Sequence, residues 1–94
     1  MANDPYYSVC CVTGRTAPQV KIEWHHNFTY RGQQVNEIWC ILPVSEAIHI
    51  QARNTEMKEK LDWIMLNRAP KEVFERFDRI DLKQRLAYLK TIYG

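Results

Sequence analysis

All three histidines of the chain fall in two places. His25 and His26 stand side by side after Ile22-Glu23-Trp24, and His49 follows Ile41-Leu42-Pro43-Val44-Ser45-Glu46-Ala47-Ile48. A neutral imidazole is both a metal ligand and a base near neutral pH. A pair at a strand end, with a third His one turn into a helix, can hold one divalent cation and leave one imidazole free to take a proton. Cutting a phosphodiester asks for such a set. The base activates water, and the cation polarises the phosphate and takes up charge on the leaving oxygen. Adjacent strand residues point to opposite faces, so His25 and His26 converge only where the backbone turns at the strand end. The spacing permits a metal site without demanding one.

The elements around these residues follow from local pattern. Tyr6-Tyr7-Ser8-Val9-Cys10-Cys11-Val12 is aromatic and β-branched and predicts a first strand. Residues 13–19 carry Gly14 and Pro18 and predict a turn. Val20-Lys21-Ile22-Glu23-Trp24 alternates apolar and polar and predicts a second strand, paired with the first as a hairpin. Residues 27–37 predict a polar loop with Phe28 and Tyr30 as anchors, and Ile38-Trp39-Cys40-Ile41-Leu42 a third strand. Ser45 predicts the N-cap of a helix running to about Arg53. Asn54 predicts the cap of another, with Met57, Leu61, Ile64 and Met65 on one stripe. Pro70 fits the first turn of a short helix carrying Val73, Phe74 and Phe77. Asp81 and Gln84 predict a capping-box start to a last helix with Leu82, Leu86, Leu89 and Ile92 at helical spacing. The expectation is an α+β chain, with a β-hairpin front half and a helical C-terminal tail. It is read as a single domain over 1–94, divided into a core at about 6–53 and an extension at about 54–94.

Bulk properties narrow the class. With 94 residues, of which 46% are hydrophobic and 12% aromatic, the chain can pack a globule but only a thin core. A net charge of +2 does not by itself imply nucleic acid. No apolar run is long enough to span a membrane. Met1-Ala2-Asn3-Asp4-Pro5 lacks the basic start and apolar stretch of a signal peptide. Cys10, Cys11 and Cys40 make an odd count with one adjacent pair, a poor disulfide framework that fits a reducing cytoplasm.

Trp24-His25-His26-Asn27, followed by Ile41-Leu42-Pro43-Val44-Ser45 and Ile48-His49, resembles the HNH endonuclease family and its ββα-metal fold. The resemblance covers about residues 10–53, and the phrasing Glu-Trp-His-His and Ile-Leu-Pro-Val looks like small phage and prophage members. It implies that His25 and His49 are ligands of one divalent cation (Mg, Mn, Ni or Zn) and that His26 is the general base. Cys40 occupies the slot of the family's middle Asn, so Asn36 or Asn27 must supply that amide, with Asn36 taken as the catalytic one. Many members also hold a structural zinc with two Cys-x-x-Cys pairs. The corresponding positions here are Cys10, Thr13, Ser45 and Ile48, with one thiolate among them, so no structural zinc is expected. The hairpin would then be held by Tyr6, Val9, Val12, Val20 and Trp24.

The resemblance implies a metal-dependent DNA endonuclease or nickase in the cytoplasm of a bacterial host, with phage encoding suggested by the small phage-type phrasing. Arg15, Lys21, Arg31 and Arg53 are the candidates for phosphate contacts. Glu23 either orients an imidazole or is merely solvated, the second being favoured. From Lys58 onward the tail holds nine of the thirteen Lys and Arg, together with seven acids once Glu56 is included, a pattern that predicts a solvated, salt-bridged face. Trp63 and Tyr88 are read as core or interface residues, and the tail leaves room for a homodimer. The other class of function is a catalytically degenerate HNH-like phage protein that acts as a protein-binding or inhibitory module.

Overall fold

Ile41-Leu42-Pro43-Val44-Ser45 forms the most enclosed strand of the protein, with all five residues buried. The computed structural model describes residues 4–77 and 81–94. Met1–Asn3 of the N-terminal reading, and Arg79 of the tail's charge pattern, lie outside these. The strands are β1 (Ile22–His26), β2 (Thr29–Tyr30), β3 (Gln33–Gln34) and β4 (Ile41–Ser45). The helices are α1 (Glu46–Gln51), α2 (Thr55–Arg68), α3 (Val73–Arg76) and α4 (Leu82–Tyr93). The class is α+β, with two small antiparallel sheets.

The predicted first hairpin is not formed. Pro5–Ser8 is a 3₁₀ turn capped by the Asp4 side chain, and only Val9 bridges Thr16 across the following turn. Proline presets the turn and lacks an N–H to give a ladder, so the aromatic and β-branched pattern loses to local chemistry. β1 pairs instead with β4, with His25 opposite Leu42 and His26 opposite Ile41. The third strand is therefore displaced: Ile38–Cys40 is a 3₁₀ turn and Pro43 lies within the strand. The N-terminal segment meets the far side of β4, where the Cys11 N–H donates to the Pro43 carbonyl at 2.9 Å.

The predicted loop between β1 and β4 holds a miniature hairpin. Thr29 pairs with Gln34 and Tyr30 with Gln33. Arg31 and Gly32 turn it with φ of 54° and 79°, the left-handed pair that a two-residue hairpin loop needs. Phe28 is buried and Tyr30 partly so, as the anchor reading requires.

The helical readings hold, with shifted ends. Ser45 caps α1 through the Ile48 N–H, but α1 stops at Gln51 rather than near Arg53. Asn54 caps α2 through the Glu56 N–H at 3.0 Å, and Leu61 and Met65 are buried as the stripe predicts. Pro70 lies in the turn before α3, accepting from the Val73 N–H. Asp81 caps α4 through the Gln84 N–H at 2.8 Å. Leu82 and Leu89 are buried, whereas Ile92 and Tyr88 are exposed.

One hydrophobic cluster runs from Cys10 through β4 and α2 to Leu89, so the core does not divide near residue 54. The aromatic cluster expected around Trp24 is present in small form, with Tyr7 packed between Tyr6 at 5.0 Å and Trp24 at 6.3 Å, and a larger one lies elsewhere. Trp24 is itself 43% exposed, and the larger ring cluster is Phe28, Tyr30, Trp39 and Phe77. Strand β1, strand β4 and then α1 form an antiparallel strand–strand–helix unit, and the three histidines lie on β1 and α1.

Candidate functional site

The pleat of β1 puts Glu23 and His25 on one face, toward α1. The Ser45 cap starts α1 at the end of β4, and its fourth residue, His49, comes back over that face. The His25 and His49 rings are 5.1 Å apart, edge to face. Glu23 is not merely solvated: its carboxylate accepts from His49 Nδ1 at 2.9 Å. That bond holds the Glu23 carboxyl below the usual range, with Lys21 nearby adding to the effect. With Nδ1 protonated, His49 keeps its lone pair on Nε2.

His26 is the last residue of β1. Its Nε2 lies 3.1 Å from Asn36 Oδ1. An amide oxygen only accepts, so Nε2 carries the proton and Nδ1 keeps the lone pair of a base. Of the two amides that the sequence left open, Asn36 meets His26 and Asn27 meets His25.

Asn27 is the buried hub of a polar network. Its Oδ1 faces His25 Nε2 at 3.1 Å, and its Nδ2 donates to Asp62 Oδ1 at 2.9 Å. Lys58 Nζ donates to the Asn27 carbonyl, to Asn27 Oδ1 and to Asp62 Oδ1 at 2.8, 3.2 and 2.7 Å. Arg85 forks onto Asp62 Oδ2 through Nε and Nη2 at 3.3 and 3.0 Å. Burial holds the His25 imidazole below its ordinary range against the Asn27 bond, and the His49, Lys58 and His26 charges push the same way. His25 is therefore neutral at neutral pH, the form a metal needs.

A cleft of about 960 Å³ opens at the end of β1, between α2 and α4. His25, His26, Arg53, Lys58, Arg85 and Tyr88 are among its walls. Of the four cations expected to meet phosphate, only Arg53 lines it. Arg15 is exposed in the turn after Cys10, Lys21 sits beside Glu23, and Arg31 lies over the Tyr30 ring. His49 and Asn36 do not line this cleft. Lys58, Asp62 and Arg85 were not singled out from the sequence. An acid between Leu61 and Met65, on the edge of an apolar stripe, is the signal that pointed to a buried partner.

Among the described residues, no three His, Cys, Asp or Glu side chains converge to hold a metal ion by themselves. His25 and His49 remain as a facing pair of imidazoles. Two imidazoles bound to one cation at about 2.0–2.1 Å, in tetrahedral geometry, have ring centres roughly 5 Å apart, and the observed separation fits that. The remaining positions would fall to water or to substrate oxygens. At the expected zinc-knuckle positions, the Cys10 sulfur accepts from Thr13 and from the Ser45 N–H, while Ile48 is packed into the core.

The chain matches no protein-family model, no curated protein and no solved structure.

Proposed function

We propose that the protein is a metal-dependent phosphodiester hydrolase of HNH type acting on DNA. The observation that carries this reading is the paired orientation at the end of β1. His26 is held by Asn36 with Nδ1 free, and the adjacent His25 faces His49 at 5.1 Å. A strand–strand–helix unit bearing these residues is the arrangement that the HNH resemblance implies. His26 Nδ1 takes the proton of the attacking water, and Asn36 holds the ring in the tautomer that allows it. His25 and His49 bind the cation as neutral imidazoles, with Glu23 fixing the His49 tautomer. The cation supplies charge stabilisation on the phosphate and leaving oxygen. Arg53, which lines the cleft, is the cation assigned to a neighbouring phosphate in this reading.

The test is plasmid cleavage with Mg²⁺, Mn²⁺, Ni²⁺ or Zn²⁺ against a chelator control. Cleavage should require the cation, and His26→Ala should lower its rate by about 10²–10⁴ while leaving the fold and Zn²⁺ binding intact. His25→Ala and His49→Ala should each weaken Zn²⁺ binding by calorimetry. Cleavage by His26→Ala at the wild-type rate would overturn the assignment of the base. A wild-type protein inert with every cation would favour the protein-binding reading.

A further inference from the structure

We propose that Asp62, in the helical half, is a positioning residue that acts through Asn27 to fix which nitrogen of His25 carries the proton. The inference rests on the reading of His25 as a metal ligand and adds a residue to that site.

The argument is one of donors and acceptors. A carboxylate only accepts, and Asp62 Oδ1 lies on the Nδ2 side of Asn27 at 2.9 Å. An ammonium only donates, and Lys58 Nζ lies on the Oδ1 side at 3.2 Å. The two ions therefore lock the amide from both ends, and a flipped Asn27 would oppose like to like at each. Locked in this sense, Asn27 offers His25 an oxygen at 3.1 Å. His25 must meet it with Nε2–H, which leaves the lone pair on Nδ1.

Asn27 and Asp62 are both buried, at 4% and 8% exposure, so water does not compete for these bonds. Arg85 and Lys58 bracket the Asp62 carboxylate and hold it in place from α4 and from its own helix. The chain of contacts thus ties the imidazole on β1 to α2 and α4. A hydrogen-bond acceptor on the far nitrogen of a ligating imidazole is a recurring device for setting its tautomer and its metal affinity, and here Asp62 would hold that acceptor in place.

The experiment combines imidazole ¹⁵N spectra with Zn²⁺ calorimetry on the full chain. In metal-free protein at pH 8, His25 should show a single tautomer protonated at Nε2, with that proton protected from exchange. Asp62→Asn and Asn27→Ala should each remove the protection and mix the tautomers at His25, leaving His49 unchanged. Zn²⁺ affinity should fall about 10–100-fold in Asp62→Asn, and should be nearly insensitive to the same change in a His25→Ala background. A purely structural role for Asp62 would lower the melting temperature without this selectivity.

If Asp62→Asn alone does not fold, Asp62→Asn with Lys58→Met removes the anion and one of its cations together, and the same spectral change is expected. Three results would overturn the proposal: a proton on Nδ1 of wild-type His25, an unchanged His25 spectrum in the folded Asp62 variants, or equal loss of Zn²⁺ affinity with and without His25. A wild-type protein that binds no Zn²⁺ overturns the ligand reading alone, and the spectra then decide the positioning.

Discussion

Burial pushes the Cys10 thiol up, yet bonds from the Thr13 hydroxyl and the N–H groups of Thr13, Ser45 and Val12 outweigh it and bring the group down to about 7. The donors favour the thiolate, so folding and ionisation are linked. The folded thiol titrates near 7 and the unfolded one near 9, so the native state binds fewer protons in between. Stability should rise from pH 7 to pH 9, by about 2 kcal/mol for a shift of this size, and be lost as pH falls through 7. Cys11 moves the other way: burial pushes it to about 11, so it remains a thiol over this range. Urea midpoints of wild type and Cys10→Ala, compared from pH 6.5 to pH 9, give the test. Their difference should grow with pH, and a constant difference would show that the Cys10 sulfur is not an anion in the fold.

At the scale of elements, what the sequence made legible depended on how local the determining interaction was. Ser45, Asn54 and Asp81 cap helices because a side-chain oxygen needs only an N–H two or three residues ahead. Strand pairing is not local. Tyr6 to Val12 has strand composition, but β1 chose β4 across a long connection, where Leu42 and Val44 are wholly buried. The candidate site followed the same rule. His25, His26 and His49 could be read because the sequence sets two of them adjacent and the third after a helix cap. Asp62 could not be paired with Asn27 from sequence, since 35 positions separate them.

Phe77 shows how such distant elements are joined. It follows α3, is 7% exposed, and meets Phe28, Tyr30 and Trp39 at ring separations of 5.1, 4.9 and 6.1 Å. Truncating a buried phenylalanine costs about 3–5 kcal/mol. Phe77→Ala should lower the urea midpoint by that equivalent and loosen the β2–β3 hairpin, seen as faster amide exchange at Val35, whose N–H donates to the Phe28 carbonyl at 2.9 Å. A variant as stable as wild type would show that the hairpin holds itself.

For the whole molecule, the question is whether residues before Pro70 fold without those after it. The strand–strand–helix unit lies entirely in the front half, which invites the view that the tail is an appendage. The burial pattern argues against that. Val73, Phe77, Leu82 and Leu89 belong to the same cluster as Leu42, Leu61 and Met65. Four such side chains contribute about 1.5–3 kcal/mol each, roughly 6–12 kcal/mol together, against a net stability of about 5–15 kcal/mol for a whole domain. Loss of α4 also strips Arg85 from Asp62, leaving Lys58 alone to balance a buried carboxylate. Residues 1–69 should therefore be unfolded by circular dichroism and by dispersion of amide proton shifts, and should bind Zn²⁺ no better than a disordered peptide with three histidines. A soluble, cooperatively melting fragment with wild-type Zn²⁺ affinity would show that the front half is a domain in its own right. It would also show that Arg85 is not needed to hold Asp62 against Asn27.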